Sequence, residues 1–455
     1  MKTERIRIFH TNDVHSCFDY WPKIVGYVNK HRDEQTLFFD IGDHADRSHP
    51  ITEATEGKGN VSLLNEAGVD FATIGNNEGI TFSKEQLCSL YEQATFQVLV
   101  ANLFHQDGTR PKWAAPYHVH QMESGLKIAI IGLTAPFTRF YQQLGWTIEP
   151  PIELLREIME EINGKSDVVI LLSHLGLARD EEIAETIEGI DLILGAHTHD
   201  VLHQGKHIRE TMIAQAGKLG AYLGEITFDY DHQQKSIIWE SVQLIDFQTD
   251  TSPENPKTSA LIKTLQDVAE KTLAEPVAVI PKTFPVSWEE ETEAARLLCD
   301  AVTEWCGEEI GMMNSGVLLE SIRAGILTRG DIHRMCPHPI NPCVVKLTGK
   351  DLYQTIKRSL TNEMKTLQLR GFGFRGKVLG HMLYSGITIA DRDDALDILI
   401  LGEKLEEDRE YKIATLDMYT FGHLYPCVSD SSYKAYFMPE FLRDILSWKL
   451  KQKWS

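Results

Sequence analysis

The sequence predicts a layered α/β unit followed by a smaller α/β (α+β) unit, and three observations predict it. Over the first half, short β-branched runs alternate with helical stretches, the pattern of a sheet covered by helices. A polar, proline-punctuated stretch, Asp250-Thr251-Ser252-Pro253-Glu254-Asn255-Pro256, then interrupts that pattern. The length of 455 residues exceeds what one compact core usually holds, so two domains are expected.

In chain order, strands are expected at Ile6–Phe9, Leu37–Ile41, Phe71–Ile74, Val98–Ala101, Ile128–Leu133, Val168–Leu172 and Leu192–Leu194. Helical patterns at Pro22–His31, Ile152–Ile162 and Asp180–Ile187 separate several of them. Met212–Ala214 and Tyr222–Phe228 read as closing strands of the same unit. After the polar stretch, Leu261, Leu265, Val268 and Leu273 fall near helical spacing within Thr258–Leu273, which predicts a connecting helix. A second unit then opens with a strand at Val277–Ile280, with helices expected at Glu291–Cys306, Gly349–Ser359 and Pro439–Lys451. The expected division is a first domain over residues 1–250, a connector over 251–274 and a second domain over 275–455. No internal repeat is evident.

Composition narrows the partners. Lys plus Arg number 45 against 66 Asp plus Glu, a formal charge of −21, which argues against nucleic acid or an anionic membrane as a partner. An anionic substrate is still compatible, because bound divalent cations reverse the local field. No apolar run approaches a membrane span, and the start, Met1-Lys2-Thr3-Glu4-Arg5-Ile6-Arg7-Ile8, lacks the apolar core of a signal peptide. Seven scattered cysteines without a C-x-x-C pair suit a reduced, cytoplasmic protein.

The chemistry is carried by five short segments: Asp13-Val14-His15, Gly42-Asp43, Gly75-Asn76-Asn77-Glu78, Ser173-His174 and Gly195-Ala196-His197-Thr198-His199. Each follows an expected strand, where a rigid sheet fixes the backbone and a loop aims the side chain. Taken singly, D-x-H and H-x-H are common, and an isolated Asp after a strand is most often a helix cap. Five such segments in order are not common. Together Asp13, His15, Asp43, Asn76, His174, His197 and His199 offer the donors of a paired divalent-metal site. The mixed N/O set suits Mn²⁺, Zn²⁺, Fe²⁺, Co²⁺ or Ni²⁺ better than Ca²⁺. A water bridging two such ions is acidic enough to attack a phosphate ester as hydroxide.

These segments, with Phe9-His10-Thr11-Asn12 before the first and Leu175-Gly176 after Ser173-His174, resemble those of the 5′-nucleotidase and bacterial UDP-sugar hydrolase family of calcineurin-like metallophosphoesterases, and within it the cytoplasmic Bacillus-type branch. The resemblance implies a four-layer metallophosphoesterase sandwich followed by a 5′-nucleotidase-type substrate-recognition domain. It implies one metal on Asp13, His15, Asp43 and His199, and a second on Asp43, Asn76, His174 and His197. It also implies phosphate release from nucleotides or nucleotide-diphosphate derivatives.

The departures carry information too. The family's Gly-Asn-His-Glu, with Asp two residues on, supplies a His/Asp dyad that assists phosphoryl transfer; here Asn77 and Ile80 stand at those positions. A carboxamide can donate to a phosphoryl oxygen but cannot protonate a departing alkoxide, so good leaving groups should be favoured. His44 and Arg47, beside Asp43, are candidates to contact the phosphoryl group in its place, whereas His10 is expected to orient a ligand or to pack. In the second domain Asn314 and Gly316 match the family's Asn-x-Gly-Gly-Ile-Arg segment, whose arginine is replaced by leucine. The family's Gly-Gly-Asp is reduced to Gly422-His423. Ring candidates are Phe372, Phe374, Tyr419, Phe421 and Tyr425, with Arg370 and Arg375 placed to meet phosphate.

Two other readings fit the same residues. The lost arginine and Gly-Gly-Asp suit a phosphoesterase for a non-nucleotide compound. Asn77 and Ile80 suit a binding or regulatory protein that retains metals and turns over weakly.

Overall fold

A computed structural model describes residues 3–392 and 395–454. The chain divides into two compact units, Met1–Ala269 and Glu270–Ser455.

The first unit is built on two six-stranded sheets. One runs in the order Ser236–Asp246, Tyr222–Asp231, Thr3–Thr11, Thr36–Asp40, Phe71–Ala72, Gln97–Val98. The other runs Lys206–Ile208, Thr211–Ala214, Leu192–Gly195, Val168–His174, Lys127–Thr134, Tyr117–Gln121. In the first sheet the strands from Thr3–Thr11 to Gln97–Val98 pair in parallel, and Tyr222–Asp231 pairs antiparallel with both Thr3–Thr11 and Ser236–Asp246. In the second the four central strands are parallel and both edge strands antiparallel. Side-chain alternation explains the layering. Ile128, Ile130, Val168, Ile170, Leu172, Leu192 and Leu194 join Ile6, Ile8, Leu37 and Phe39 in one buried core between the sheets. The intervening Ala129, Ile131, Leu133, Val169, Leu171 and Ile193 pack instead with Leu155, Ile158 and Ile162 and with Ile183 and Ile187, from the helices Pro151–Ile162 and Leu177–Thr186 and the residue that follows. Strands buried on both faces therefore read as continuous apolar runs. On the far side, Tyr27 of the helix Trp21–His31 meets Phe9 edge-on at 6.1 Å. The result is helices, sheet, sheet, helices, as the resemblance implies.

Most expected strands are present within a residue or two. Val98–Ala101 is an exception, since only Gln97–Val98 forms a strand. The backbone there changes sheets: the Leu99 N–H donates to the Ala72 carbonyl of the first sheet, and two residues later the Ala101 N–H donates to Gly132 of the second. The strand Ser236–Asp246 and the helices Pro50–Thr55 and Lys58–Ala67 were not expected from sequence. The connecting helix runs Pro256–Leu273. Pro256 supplies the first turn's φ, and the Asn255 side chain accepts from the Lys257 and Thr258 N–H groups as an N-cap.

The second unit holds a five-stranded sheet in the order Met382–Ser385, Gly311–Asn314, Glu410–Leu416, Pro342–Thr348, Lys434–Tyr436. A three-stranded sheet (Ile387–Arg392, Ala395–Ile400, Glu403–Lys404) and a pair (Pro276–Ile280, Gly325–Thr328) accompany it. The helix expected at Glu291–Cys306 runs Glu293–Trp305, capped by the Thr292 side chain. The C-terminal helix begins at Leu442, three residues later than expected, because the Asp444 carboxylate takes the Phe441 N–H at its start. Among the described residues no helix is long and apolar enough to cross a membrane.

Candidate metal centre

Asp13 and His15 lie just past Thr3–Thr11, Asp43 just past Thr36–Asp40, and Asn76 opens the helix Asn76–Thr81 beyond Phe71–Ala72. His174 ends Val168–His174, and His197 and His199 follow Leu192–Gly195. Because these strands are parallel neighbours within their sheets, their ends meet at one edge of the sandwich. Two groups of donors converge there: Asp13, His15 and His199, and Asp13, Asp43 and His174. Within each group the ligand atoms lie within 4.8 Å of one another. Asp13 Oδ1 is 3.8 Å from His15 Nε2, 3.9 Å from His174 Nε2 and 3.4 Å from His199 Nε2. Asp43 Oδ2 is 3.9 Å from His15 Nε2 and 3.6 Å from His174 Nε2. Both carboxylates thus stand between the two imidazoles. The His197 ring lies 5.3 Å from that of His174.

The local backbone is unusual. Asp13, His15, Asp43, His197 and His199 all have left-handed φ, of 51, 49, 51, 76 and 61°. Such conformations cost non-glycine residues about 1–3 kcal/mol each and persist where surrounding structure imposes them. Here that structure is visible. The Asn12 side chain bridges Asp13 Oδ2, the Gly217 carbonyl and the Ala216 N–H, and Asp13 also accepts from the His197 N–H at 3.0 Å. Buried Glu78 accepts the N–H groups of Asp43, Ala45 and Gly75 at 2.8–2.9 Å, tying two ligand loops together. The two loops also touch through glycine: a β-carbon on Gly42 would overlap the Gly75 backbone, and one on Gly75 would overlap the Asp43 carboxylate. Asn12 and Glu78 were not singled out for these roles from sequence, although Glu78 lies inside a ligand segment and Asn12 directly precedes one.

The donors fit a cation. His174 Nε2 and Asn76 Oδ1 are buried and have no hydrogen-bond partner, a costly state for polar atoms unless an ion meets them. Burial alone would raise both carboxyls. His199, His174 and His15 outweigh it at Asp13, and His174 and His15 at Asp43, so both sit below the usual carboxylate range. Burial pulls His174 down, but the Asp43 and Asp13 carboxylates push it up to about 10. His197 is lowered to about 4, by burial first and then by the neighbouring His174. A cluster that holds its carboxylates ionised and a proton between them is one from which a divalent cation displaces that proton.

Asn77 is buried beside this cluster. Its N–H donates to Asp43 Oδ1 at 2.7 Å, and its side-chain Nδ2 meets the Ala45 carbonyl at 3.1 Å and His15 Nδ1 at 2.9 Å. His44 and Arg47 have supporting places instead of ligand-facing ones. His44 is buried edge-on against Trp21, ring centroids 4.8 Å apart, and burial lowers it to about 3. Arg47 pairs with both Glu53 oxygens at 3.0 and 3.2 Å and donates to the Thr81 carbonyl. His10 is fully buried and packs on Gly224, where a β-carbon would overlap its ring.

In the second unit the candidate recognition residues separate into core and surface. The Asn314 Nδ2 donates to the Leu379 carbonyl at 2.6 Å, and Asn314 exchanges two hydrogen bonds with the Tyr419 hydroxyl. Tyr419 is fully buried against Tyr425. A β-carbon on Gly316 would strike the Val378 carbonyl, so the chain passes too closely there for any side chain. Phe374 is buried and stacked on His338, centroids 5.2 Å apart, and Leu318 is fully buried. Phe372 is different: it is 46% exposed, has a left-handed φ of 53°, and lies parallel to Phe421 with centroids 6.2 Å apart. Arg370 is exposed, and the Arg375 N–H donates to His338 Nδ1.

A two-sheet sandwich with imidazole and carboxylate donors at its strand ends, followed by a second α/β unit, defines a two-domain metal-dependent phosphoesterase. Comparison with known proteins makes the assignment specific. Residues 6–201 match the calcineurin-like phosphoesterase family, and residues 271–426 match the 5′-nucleotidase C-terminal domain. The chain is 43% identical to the "Uncharacterized metallophosphoesterase YunD" of Bacillus subtilis (strain 168), over 99% of this chain and 100% of that one. It is 25% identical to the trifunctional nucleotide phosphoesterase protein YfkN of the same organism, over 78% of this chain and 28% of that one. Among solved structures, Haemophilus influenzae NAD nucleotidase shares the fold with a TM-score of 0.71 at 16% identity, covering 100% of this chain and 97% of the other. The 5′-nucleotidase precursor of Thermus thermophilus gives 0.62 at 18% identity, covering 99% and 97%. The chain belongs to the 5′-nucleotidase family of calcineurin-like metallophosphoesterases, which are metal-dependent phosphoric ester hydrolases.

Proposed function

We propose that this hydrolase releases phosphate from nucleotides or nucleotide-diphosphate derivatives at a centre of two divalent cations. Asp13, His15, Asp43 and His199 would hold one, and Asp43, Asn76, His174 and His197 the other, with Mn²⁺, Zn²⁺, Fe²⁺, Co²⁺ or Ni²⁺ suited to the donors. The single observation that supports this most is the pair of buried atoms without a hydrogen-bond partner, His174 Nε2 and Asn76 Oδ1, the first of them 3.6 Å from Asp43 Oδ2 and 3.9 Å from Asp13 Oδ1. When bound, such cations supply an acidified water and a positive cradle for phosphoryl oxygens.

The chain's own residues set the remaining terms. Asp13 and Asp43 stay ionised beside three imidazoles. His174 is oriented by its Nδ1–H donation to the Ile41 carbonyl at 2.7 Å. Asn77 cannot hand a proton to a leaving alkoxide, and its amide hydrogens are already directed at Ala45 and His15. A general acid is typically worth ~10²–10⁴-fold, so substrates whose leaving group needs no proton, such as ADP or UDP-glucose, should be preferred to AMP. In the second unit the exposed face of Phe372 suits stacking on a base, with Phe421 behind it and Arg370 nearby in sequence. Asn314, Gly316, Phe374 and Tyr419 support the fold beneath, and Arg375 holds the turn.

The domain reading is a catalytic unit over residues 1–250, a connector over 251–274 and a recognition unit over 275–455. A reducing, cytoplasmic setting is supported by seven cysteines that all carry free thiols. The test is phosphate release from ADP and AMP, and formation of UMP and glucose 1-phosphate from UDP-glucose, by metal-reconstituted protein. Faster turnover of ADP or UDP-glucose is expected, and a clear preference for AMP would sink the leaving-group argument.

A further inference from the structure

The turn Gly371-Phe372-Gly373-Phe374 has a conformation that its second residue does not favour. The Phe374 N–H donates to the Gly371 carbonyl at 3.0 Å, and the two residues form a β-bridge. Both central residues have positive φ, 53° at Phe372 and 76° at Gly373, as in a type I′ turn. The first central position of such a turn ordinarily takes asparagine, aspartate or glycine. Here it carries a phenylalanine whose ring is 46% exposed. The Phe421 ring lies parallel to it, with planes 6° apart, and a β-carbon on Gly422 would come within 3.3 Å of it. A large apolar ring in a disfavoured backbone conformation needs surrounding structure to hold it there.

His338 supplies that structure. Its side chain is fully buried, just before the strand Pro342–Thr348. Nδ1 accepts the Arg375 N–H at 2.8 Å, and Nε2 donates to the Val317 carbonyl at 3.0 Å. The ring lies parallel to that of Phe374, with centroids 5.2 Å apart and planes within 5°. The following residue closes another side of the turn, since a β-carbon on Gly373 would overlap the Pro339 carbonyl. One imidazole thus grips the two residues after the turn's tip and ties them to the short helical turn Ser315–Val317. Histidine suits this place because its flat ring carries an acceptor and a donor at separate nitrogens.

We propose that His338 is a positioning residue for base recognition: by fixing Phe374 and Arg375, it presents the Phe372 ring in the orientation on which a nucleobase stacks. His338 touches no substrate itself. A ring held beforehand loses little freedom when a base settles on it, whereas a loose turn must be ordered at that moment. The inference rests on the base-stacking role given to Phe372 above. It requires His338 and Phe372 to act as one unit.

The test is steady-state hydrolysis of ADP by the Mn²⁺-reconstituted full-length protein, in His338→Phe, Phe372→Ala and the double variant. His338→Phe keeps a flat ring beside Phe374 and loses both hydrogen bonds. Its KM for ADP should rise about fivefold or more, the scale of one net hydrogen bond, with kcat nearly unchanged. In the Phe372→Ala background the same change should add nothing to KM, because residues that act through one another are not additive. His338→Gln, which offers both an acceptor and a donor, should lie closer to the wild type than His338→Phe. In the wild type the Arg375 amide should exchange with deuterium about tenfold or more slowly than that of exposed Arg370, a measurement that needs no variant. An unchanged KM in His338→Phe, an equal rise in both backgrounds, a KM in His338→Gln no lower than in His338→Phe, or fast exchange at Arg375 each overturns the inference. A KM for ADP unaffected by Phe372→Ala would overturn the base-stacking reading, and this inference with it.

Discussion

The two units bury polar side chains to opposite ends. In the first unit, buried His174 Nε2 and Asn76 Oδ1 have no hydrogen-bond partner, and His174 Nε2 lies 3.6 Å from Asp43 Oδ2. In the second, the equally buried Asn314, Tyr419 and His338 satisfy one another or the backbone: Asn314 with Tyr419 and Leu379, His338 with the Val317 carbonyl and the Arg375 N–H. Unmatched buried ligand atoms in a cluster with two carboxylates suit an ion, whereas matched ones mark structure. What the second unit leaves for a ligand is an exposed ring on a strained turn. The first unit should therefore govern turnover of every phosphate ester, and the second only the binding of substrates that carry a base.

The strongest way to break that contrast is at Asp43. Asp43→Asn should lower kcat by at least ~10²–10³-fold, the scale of losing one electrostatic stabiliser of a transition state. The loss should be equal for nucleotides and for p-nitrophenyl phosphate, with circular dichroism showing an unchanged fold. A loss confined to nucleotides would move the chemistry's centre elsewhere. Next in size, Asn77→His at saturating Mn²⁺ should raise AMP turnover relative to ADP by about 10²-fold, through restored proton delivery. An unchanged ratio would remove the leaving-group explanation.

Phe372→Ala probes the second unit alone. Losing a base stack costs about 1–3 kcal/mol, so KM for nucleotides should rise roughly tenfold or more while p-nitrophenyl phosphate turnover stays level. Equal effects on both would place Phe372 outside base recognition. The smallest effect is on stability. Burial pushes the Asp417 carboxyl up to about 8, against the N–H groups of Asn341 and Met418 that favour its ionised form. Its folded pKa lies above its unfolded value near 4, so its stabilising contribution is full below that pH and is lost as pH rises through about 8. Asp417→Asn should flatten the fall in Tm over that window by a few degrees, on the order expected for a unit of this size. Parallel curves for the two proteins would contradict the assignment.

The sequence made the candidate ligands legible because each follows a β-branched run, and a parallel sheet brings successive strand ends to one edge. It did not reveal the left-handed backbone at Asp13, His15, Asp43, His197 and His199, which depends on contacts from distant loops such as Asn12 with Gly217. Nor did it show that His44 packs on Trp21 and that Arg47 pairs with Glu53. In Arg370–Gly376 two phenylalanines two residues apart look equivalent as sequence. The turn that joins Gly371 to Phe374 exposes one ring and buries the other. Tyr419 was indistinguishable from Phe421 for the same reason, since a short helical turn at Asp417–Thr420 decides which ring enters the core. Periodic segments and strand ends can be read from local pattern; ring orientation at turns cannot.

On the proposed reading, Asp13, Asp43 and the four imidazoles with Asn76 hold two cations. Anomalous diffraction from crystals of the full chain equilibrated with Mn²⁺ tests it most directly. Two peaks flanking the Asp43 carboxylate, one within ligand distance of His15 and His199 and the other of His174, His197 and Asn76, are the predicted result. A single peak, or peaks away from these residues, would contradict it.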